Sequence, residues 1–329
     1  MSKIVTSSEI IKSISQFLSP LPSLFSPLSP HFIVCILLLF PGCKGVQHHT
    51  DSPETTFCIH TINICDSVIM VGTGWDNVTA ISTQKGIVVI DAGISYSLTA
   101  KYREVIGKRF SRNDFAYVIN THAHHDHTRG NPAFSDAVIV GHISFLTEIP
   151  AIWKDTARVR SWSSETIKYY QAQLDTLEKD SPEWKEAFCN KVCYEFVFTD
   201  ASGEPKFAVP ELTFDDSLTI HSGDVTFCLL HFGKAHSASD VIIHIPEKKI
   251  LLVGDLFSKY GKAGFGRSEK ADAEKWLRAM DWIESRMNAI EIIIGGHGAI
   301  LTKEDLHAFE ESVQSRISTT HISSPEVLP

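Results

Sequence analysis

From Asn120 to Asn131 the chain reads "NTHAHHDHTRGN", which sets four histidines and one aspartate into the six positions from His122 to His127. Histidine accounts for only 16 of 329 residues, so such crowding needs a cause. Neutral imidazole and carboxylate are ligands that suit zinc, and a cation repays the cost of gathering them. A strand that ends at Thr121 sends His122 and His124 to one side, because alternate side chains share a face. Asp126 and His127, beyond the bend, then reach a second point nearby, while His125 is expected to point away. Two adjacent cations lower the pKa of a bound water enough to supply hydroxide near neutral pH.

Four ligands from one loop cannot complete two metal shells, so other strand ends should supply the rest. "HFGKAHSASD" sets His236 after a strand-like run, "LLVGDLF" sets Asp255 after another, and "IIIGGHGAI" sets His297 after a third. A carboxylate at 255 can bridge two cations with its two oxygens, which a single imidazole cannot do. Structural zinc sites are closed and cysteine-rich, whereas none of these residues is cysteine and a paired centre leaves room for water. His60, His142, His221, His231, His244, His307 and His321 do not share this order and read as surface or hydrogen-bonded residues.

The elements that carry these residues are mostly strands. "SVIMV" (67–71), "NVTAIST" (77–83) and "GIVVIDAG" (86–93) are rich in β-branched residues and separated by Gly, Asp and Asn. "LTAKYREVIGKRF" reads as a helix, "FAYVIN" as the strand feeding the histidine cluster, and "DAVIVGH" as another strand and loop. The stretch from Ile143 to Lys191 turns helical. Strands resume at "ELTF", "SLTIHSG" and "VTFCLLHF", and "DVIIHI" with "ILLVGD" forms a hairpin. A helix from Ala271 to about Met287 puts Trp276, Leu277, Met280 and Ile283 on one face, and "EIIIGGHG" is a last strand. Thr302 with Asp305 then caps a final helix with a stripe of Leu306, Phe309, Val313 and Ile317. Strands followed by helix in each half predict an α+β fold, two sheets face to face with helices outside, a four-layer αββα sandwich.

With these motifs in that order, the sequence resembles the metallo-β-lactamase superfamily. Its H-x-H-x-D-H signature stands here as His122, His124, Asp126 and His127, followed by His236, Asp255 and His297, and preceded by Asp91 after "IVVI". The resemblance runs from about residue 67 to 310 and implies the metallo-β-lactamase fold. It implies two zinc ions per chain, the first on His122, His124 and His236, the second on Asp126, His127 and His297, with Asp255 bridging. Asp91 would hold the ligand loop by hydrogen bonds, and Asp126 would be catalytic, orienting the nucleophile. Iron or manganese replaces zinc in some members. The stretch from Gly233 to Lys259 looks most like zinc β-lactamases that carry a cysteine ligand where Asp255 stands here. Lys259 would grip a substrate carboxylate and Trp75, in "GTGWDN", would wall the metals. The reaction implied is hydrolysis of a lactam, lactone, ester or thioester. A strict β-lactamase, or a phosphodiesterase or nuclease of the same superfamily, is the alternative.

Composition narrows the partners. With 43% hydrophobic and 21% charged residues the chain is globular, and a net charge of −9 supplies no broad basic surface for nucleic acid. A small-molecule substrate is expected. Residues 1–50 read as a signal or leader with linker, and 51–329 as one hydrolase domain with a helical insert near 143–191. The apolar run "FIVCILLLF" (32–40) rises only about 14 Å as a helix, too short to span a bilayer but suited to a secretory h-region. "FPGCKG" places Cys43 as in an imperfect lipobox. Export, to a periplasm or to a membrane through a lipid anchor, is therefore expected; a disordered leader on a cytoplasmic protein is the alternative. Seven cysteines in loose spacing suggest no disulfide framework, and Cys189 and Cys193 read as buried thiols.

Overall fold

A computed structural model describes residues 5–6, 57–148, 155–257, 273–297 and 300–322. The apolar run 32–40, Cys43 and Lys259 lie outside these residues. An eight-stranded sheet has the order β1-β8-β7-β6-β5-β4-β3-β2. Its strands are β1 (Val5–Thr6), β2 (Ile59–Cys65), β3 (Val68–Thr73), β4 (Asp76–Thr83), β5 (Gly86–Ile90), β6 (Phe115–Ile119), β7 (Val138–His142) and β8 (Leu212–Phe214). A six-stranded sheet, ordered β14-β13-β12-β11-β10-β9, comprises β9 (Ser217–Ser222), β10 (Val225–Leu230), β11 (Ile242–Ile245), β12 (Ile250–Gly254), β13 (Ile292–Gly295) and β14 (Ile300–Leu301).

Both sheets are covered on both faces, which explains the continuous apolar runs. Along β3 and β5, Val68, Met70, Val88 and Ile90 face the other sheet and meet Phe227, Leu229, Ile243, Leu252 and Ile294. The alternate residues Ile69, Val71, Ile87 and Val89 turn outward under α1 (Tyr96–Phe110) and α4 (Pro182–Ser202), against Leu98, Tyr102, Ile106, Tyr194 and Val197. On the far side Ile242, Leu251, Val253 and Ile293 pack under α5 (Ala273–Glu284) and α6 (Lys303–Ile322) through Trp276, Met280, Ile283, Leu306, Phe309 and Val313. Burying each such aliphatic side chain is worth about 1.5–3 kcal/mol. This is the αββα sandwich, with parallel pairing of β5–β6–β7–β8 and of β12–β13. The capping box forms as the sequence indicates: Thr302 N–H donates to Asp305 Oδ2 at 2.8 Å and Asp305 N–H to Thr302 Oγ1 at 3.2 Å.

Several features depart from the sequence reading. Strand β2 pairs antiparallel with β3 at the sheet edge, and its mostly exposed side chains lack the apolar alternation that marks a strand. Two residues within the expected leader, Val5–Thr6, pair with β8. The helical region, α3 (Thr156–Leu174) and α4, runs past Lys191 to Ser202, because "VCYEFVF" buries Val192, Cys193, Tyr194 and Val197, the last three against the outer face of the eight-stranded sheet. Cys189 is no free thiol. It forms a disulfide with Cys58 across 131 residues of sequence, while Cys193 is free and buried.

That bond ties the start of β2 to the outer helical layer, and constraining so long a loop restricts the unfolded chain. Cys189→Ser is expected to lower stability by about 2–5 kcal/mol. Urea unfolding with and without reductant checks this: reductant should lower the wild-type midpoint to that of the variant and leave the variant unchanged.

Candidate metal centre

The centre forms where several strands end on one rim of the sandwich. Strand β6 delivers Thr121 and His122. The short helix α2 (His125–Thr128) follows, β12 ends just before Asp255, and β13 ends just before Gly296 and His297. His236 sits on the loop between β10 and β11. The sequence-derived ligands come together in two groups, His122, His124 and His236 in one, and Asp126, His127, Asp255 and His297 in the other.

In the first group the ring nitrogens converge closely. Nδ1 of His124 lies 3.0 Å from Nε2 of His122 and 2.9 Å from Nε2 of His236. Burial, reinforced by neighbouring imidazoles, holds His122 well below the usual histidine range, and burial followed by His236 brings His124 down to about 4. His122 and His124 are therefore neutral at pH 7.

The second group is carboxylate-rich. Asp255 Oδ1 lies 3.3 Å from His127 Nε2, and Asp255 Oδ2 lies 3.1 Å from His297 Nε2. Asp126 Oδ2 stands 3.8 Å from His127 Nε2 and 3.7 Å from His297 Nε2. Burial opposes charge at Asp255, yet His127 and His297 hold its carboxyl well below the usual range. Burial likewise opposes charge at His127, but Asp255, Asp91 and Asp126 push it well above. Asp255 also faces the first group, its Oδ2 being 3.6 Å from His236 Nε2 and 4.0 Å from His122 Nε2.

Two observations indicate that this set fits a cation. His127 Nε2 and Asp255 Oδ1 are buried without hydrogen-bond partners, a costly state that a ligated ion removes. Glycine also keeps the space open. A Cβ on Gly296 would stand 2.2 Å from Asp255 Oδ1, and Gly254, at φ +53°, would press a side chain against Thr121. Nitrogen and oxygen donors without thiolate suit zinc, and also iron or manganese.

Asp91 supports the ligand loop from behind. It adopts φ 58°, an uncommon conformation for a residue other than glycine. Its Oδ1 accepts from the Thr121 N–H at 2.8 Å, and its Oδ2 from Thr121 Oγ1 at 2.8 Å. Oδ2 also lies 2.9 Å from His127 Nδ1, an acceptor that fixes the tautomer leaving Nε2 for a metal. Asp91→Ala is expected to weaken metal binding about 10- to 100-fold while the fold survives. Chelator competition, read beside circular dichroism, measures both.

Other supports carried no clear sequence signal. Asp240 holds the His236 loop by accepting from Ser237 N–H at 2.8 Å, Ser237 Oγ at 2.7 Å and Ala235 N–H at 3.2 Å. Ser239 Oγ accepts from Ala123 N–H and donates to Glu148, tying the first histidine loop to the third motif. His125 joins neither metal group, and its ring packs edge-on against Trp162 with centroids 5.4 Å apart. Trp75 packs against His297, ring centroids 4.9 Å apart, and beside Tyr194 at 5.9 Å. Its backbone N–H donates to Asn190 Oδ1 at 3.0 Å, on the helix that carries the disulfide.

The chain matches the sequence profile of the metallo-beta-lactamase superfamily over residues 71–297, an interval that opens within β3 and closes on His297. The chain belongs to the metallo-beta-lactamase superfamily. Members of this superfamily are metal-dependent hydrolases. A metallo-beta-lactamase type 2 from Bacteroides fragilis is 23% identical over 121 residues, 37% of this chain and 49% of that protein. Another, from Bacillus cereus, is 22% identical over 224 residues, 68% of this chain and 67% of its own length. Among solved structures, a metallo-beta-lactamase from Pontibacter korlensis superposes with a TM-score of 0.55 at 18% identity, covering 78% of this chain and 99% of that one. The inverting sec-alkylsulfatase Pisa1 from Pseudomonas sp. gives 0.58 at 14%, covering 84% and 47%. At such identities the superpositions establish the fold of this superfamily member.

Proposed function

We propose that the centre holds two zinc ions and that this superfamily member hydrolyses a lactam, lactone, ester or thioester bond in a small-molecule substrate. The observation that carries this reading is Asp255, whose two oxygens face both ligand groups at 3.1–4.0 Å. Held by these residues, zinc would supply a water of pKa about 7 and a Lewis acid for the carbonyl under attack. The chain's own residues do the rest. His122, His124 and His236 form an all-imidazole face, while Asp126, His127, Asp255 and His297 form a mixed carboxylate and imidazole one. Asp126 is held below the usual carboxylate range against the effect of burial, chiefly by His127 and His125, so it is ionised at neutral pH. It orients the attacking water by accepting a hydrogen bond from it. Trp75 and Tyr194 offer an apolar wall beside His297, and Lys259 is assigned to a substrate carboxylate.

A β-lactamase in the strict sense is the second reading, favoured by what the relatives from B. fragilis and B. cereus are called. Asp255, in the place of that branch's cysteine ligand, weighs against it. A net charge of −9 weighs against a nuclease. The Cys58–Cys189 disulfide supports export to an oxidising compartment.

Zinc-loaded protein assayed against a chromogenic cephalosporin, lactones, aryl esters, thioesters, phosphodiesters and a secondary alkyl sulfate tests the reading. Turnover confined to carboxylic acid derivatives is expected. Turnover of the phosphodiester or the sulfate alone would overturn it.

A further inference from the structure

A cavity of about 280 Å³ opens beside the metal-ligand loop, walled by the start of α1, the end of α4 and the 203–207 segment that follows. It shares no lining residue with either ligand group. Arg129 lines it and caps α2, its backbone N–H donating to His125 O. The Nε of this guanidinium is buried and has no hydrogen-bond partner, which leaves a charged donor unsatisfied.

The acidic groups acting on Arg129 are Asp200 and Asp126. Both oxygens of Asp200 are already engaged at the start of α1. Oδ2 accepts from Ser95 Oγ at 2.6 Å and from Ser97 N–H at 3.1 Å, and Oδ1 accepts from Ser97 Oγ. Lys206 supplies a second cation, 3.8 Å from the centroid of the Tyr96 ring. Tyr96 and Phe207 add aromatic walls, and Phe207 is 53% exposed.

We propose that this cavity binds a small organic monocarboxylate, with the carboxylate on Arg129 and the apolar body against Tyr96 and Phe207. The planar guanidinium fork matches a carboxylate in two-point fashion. Asp200 and Glu204 line the same space and offset Arg129 and Lys206 one for one, so the second charge of a phosphate dianion gains no net attraction, and phosphate has no apolar body for the aromatic walls. The volume stands at the small end for ligand pockets and suits a body about the size of one aromatic ring.

Benzoate is the probe. Calorimetric titration into the metal-loaded full chain is compared with Arg129→Gln and with Thr199→Trp, which fills the cavity from α4 without altering Arg129. Wild type is expected to bind benzoate, and both variants to lose affinity by about tenfold or more at unchanged metal content. Neutral benzamide and inorganic phosphate should bind wild type at least about tenfold more weakly than benzoate. Undiminished binding in Thr199→Trp would place benzoate outside this cavity and overturn the proposal. So would undiminished binding in Arg129→Gln, absence of binding to wild type, or benzamide or phosphate bound as tightly as benzoate. If Arg129→Gln loses metal, the Thr199→Trp comparison decides.

Discussion

Asp255→Ala is expected to lower turnover by about three orders of magnitude, equivalent to about 4 kcal/mol of transition-state stabilisation, and to disturb both metals together. The reason is its position. Oδ1 faces His127 at 3.3 Å, while Oδ2 faces His297 at 3.1 Å and also approaches His236 at 3.6 Å. Removing this carboxylate leaves buried imidazoles from two groups without their shared anion, and would leave two cations held there without the residue placed to link them. The paired readouts are kcat/KM on whichever substrate responds and metal content after gel filtration. A variant that keeps full metal content and loses less than about tenfold in kcat/KM would show that 255 is peripheral.

Asp126→Ala should act differently. Asp126 belongs to the second group only, 3.8 Å from His127 and 3.7 Å from His297. Its loss would remove the group that orients the water as well as one candidate ligand, and turnover is expected to fall by about 10²–10⁴-fold. The first group, His122, His124 and His236, stays intact, so about one equivalent of metal should remain tightly held. Spectroscopy of the cobalt-substituted variant distinguishes the outcomes: an imidazole-ligated spectrum in Asp126→Ala, and a disturbed one in Asp255→Ala. Unchanged turnover in Asp126→Ala would remove it from the proposed mechanism.

Much of the site was legible because its residues stand at strand ends, and strand ends in this fold are marked by apolar runs that stop abruptly. "IVVI" before Asp91, "LLVG" before Asp255 and "IIIG" before His297 are buried from both sides, so each reads as a strand. The dense first motif needed no tertiary information. What escaped the sequence depends on contacts between distant segments. Strand β2 is an exposed edge without alternation, and nothing near Cys58 or Cys189 signals a partner 131 residues away. The end of α4 carries β-branched and aromatic residues that favour strands in isolation but are held helical by burial against the sheet. The bonds from Glu148 to Ser239, and from Asn190 to Trp75, join loops that only the folded sandwich brings together.

Metal analysis of zinc-reconstituted wild-type protein, titrated with a chelator while hydrolysis is followed, tests the central claim most directly. About two equivalents of zinc per chain are expected, with activity lost as they are removed and restored on their return. Fewer than about one equivalent in fully loaded protein, or hydrolysis that persists after complete removal, would contradict it.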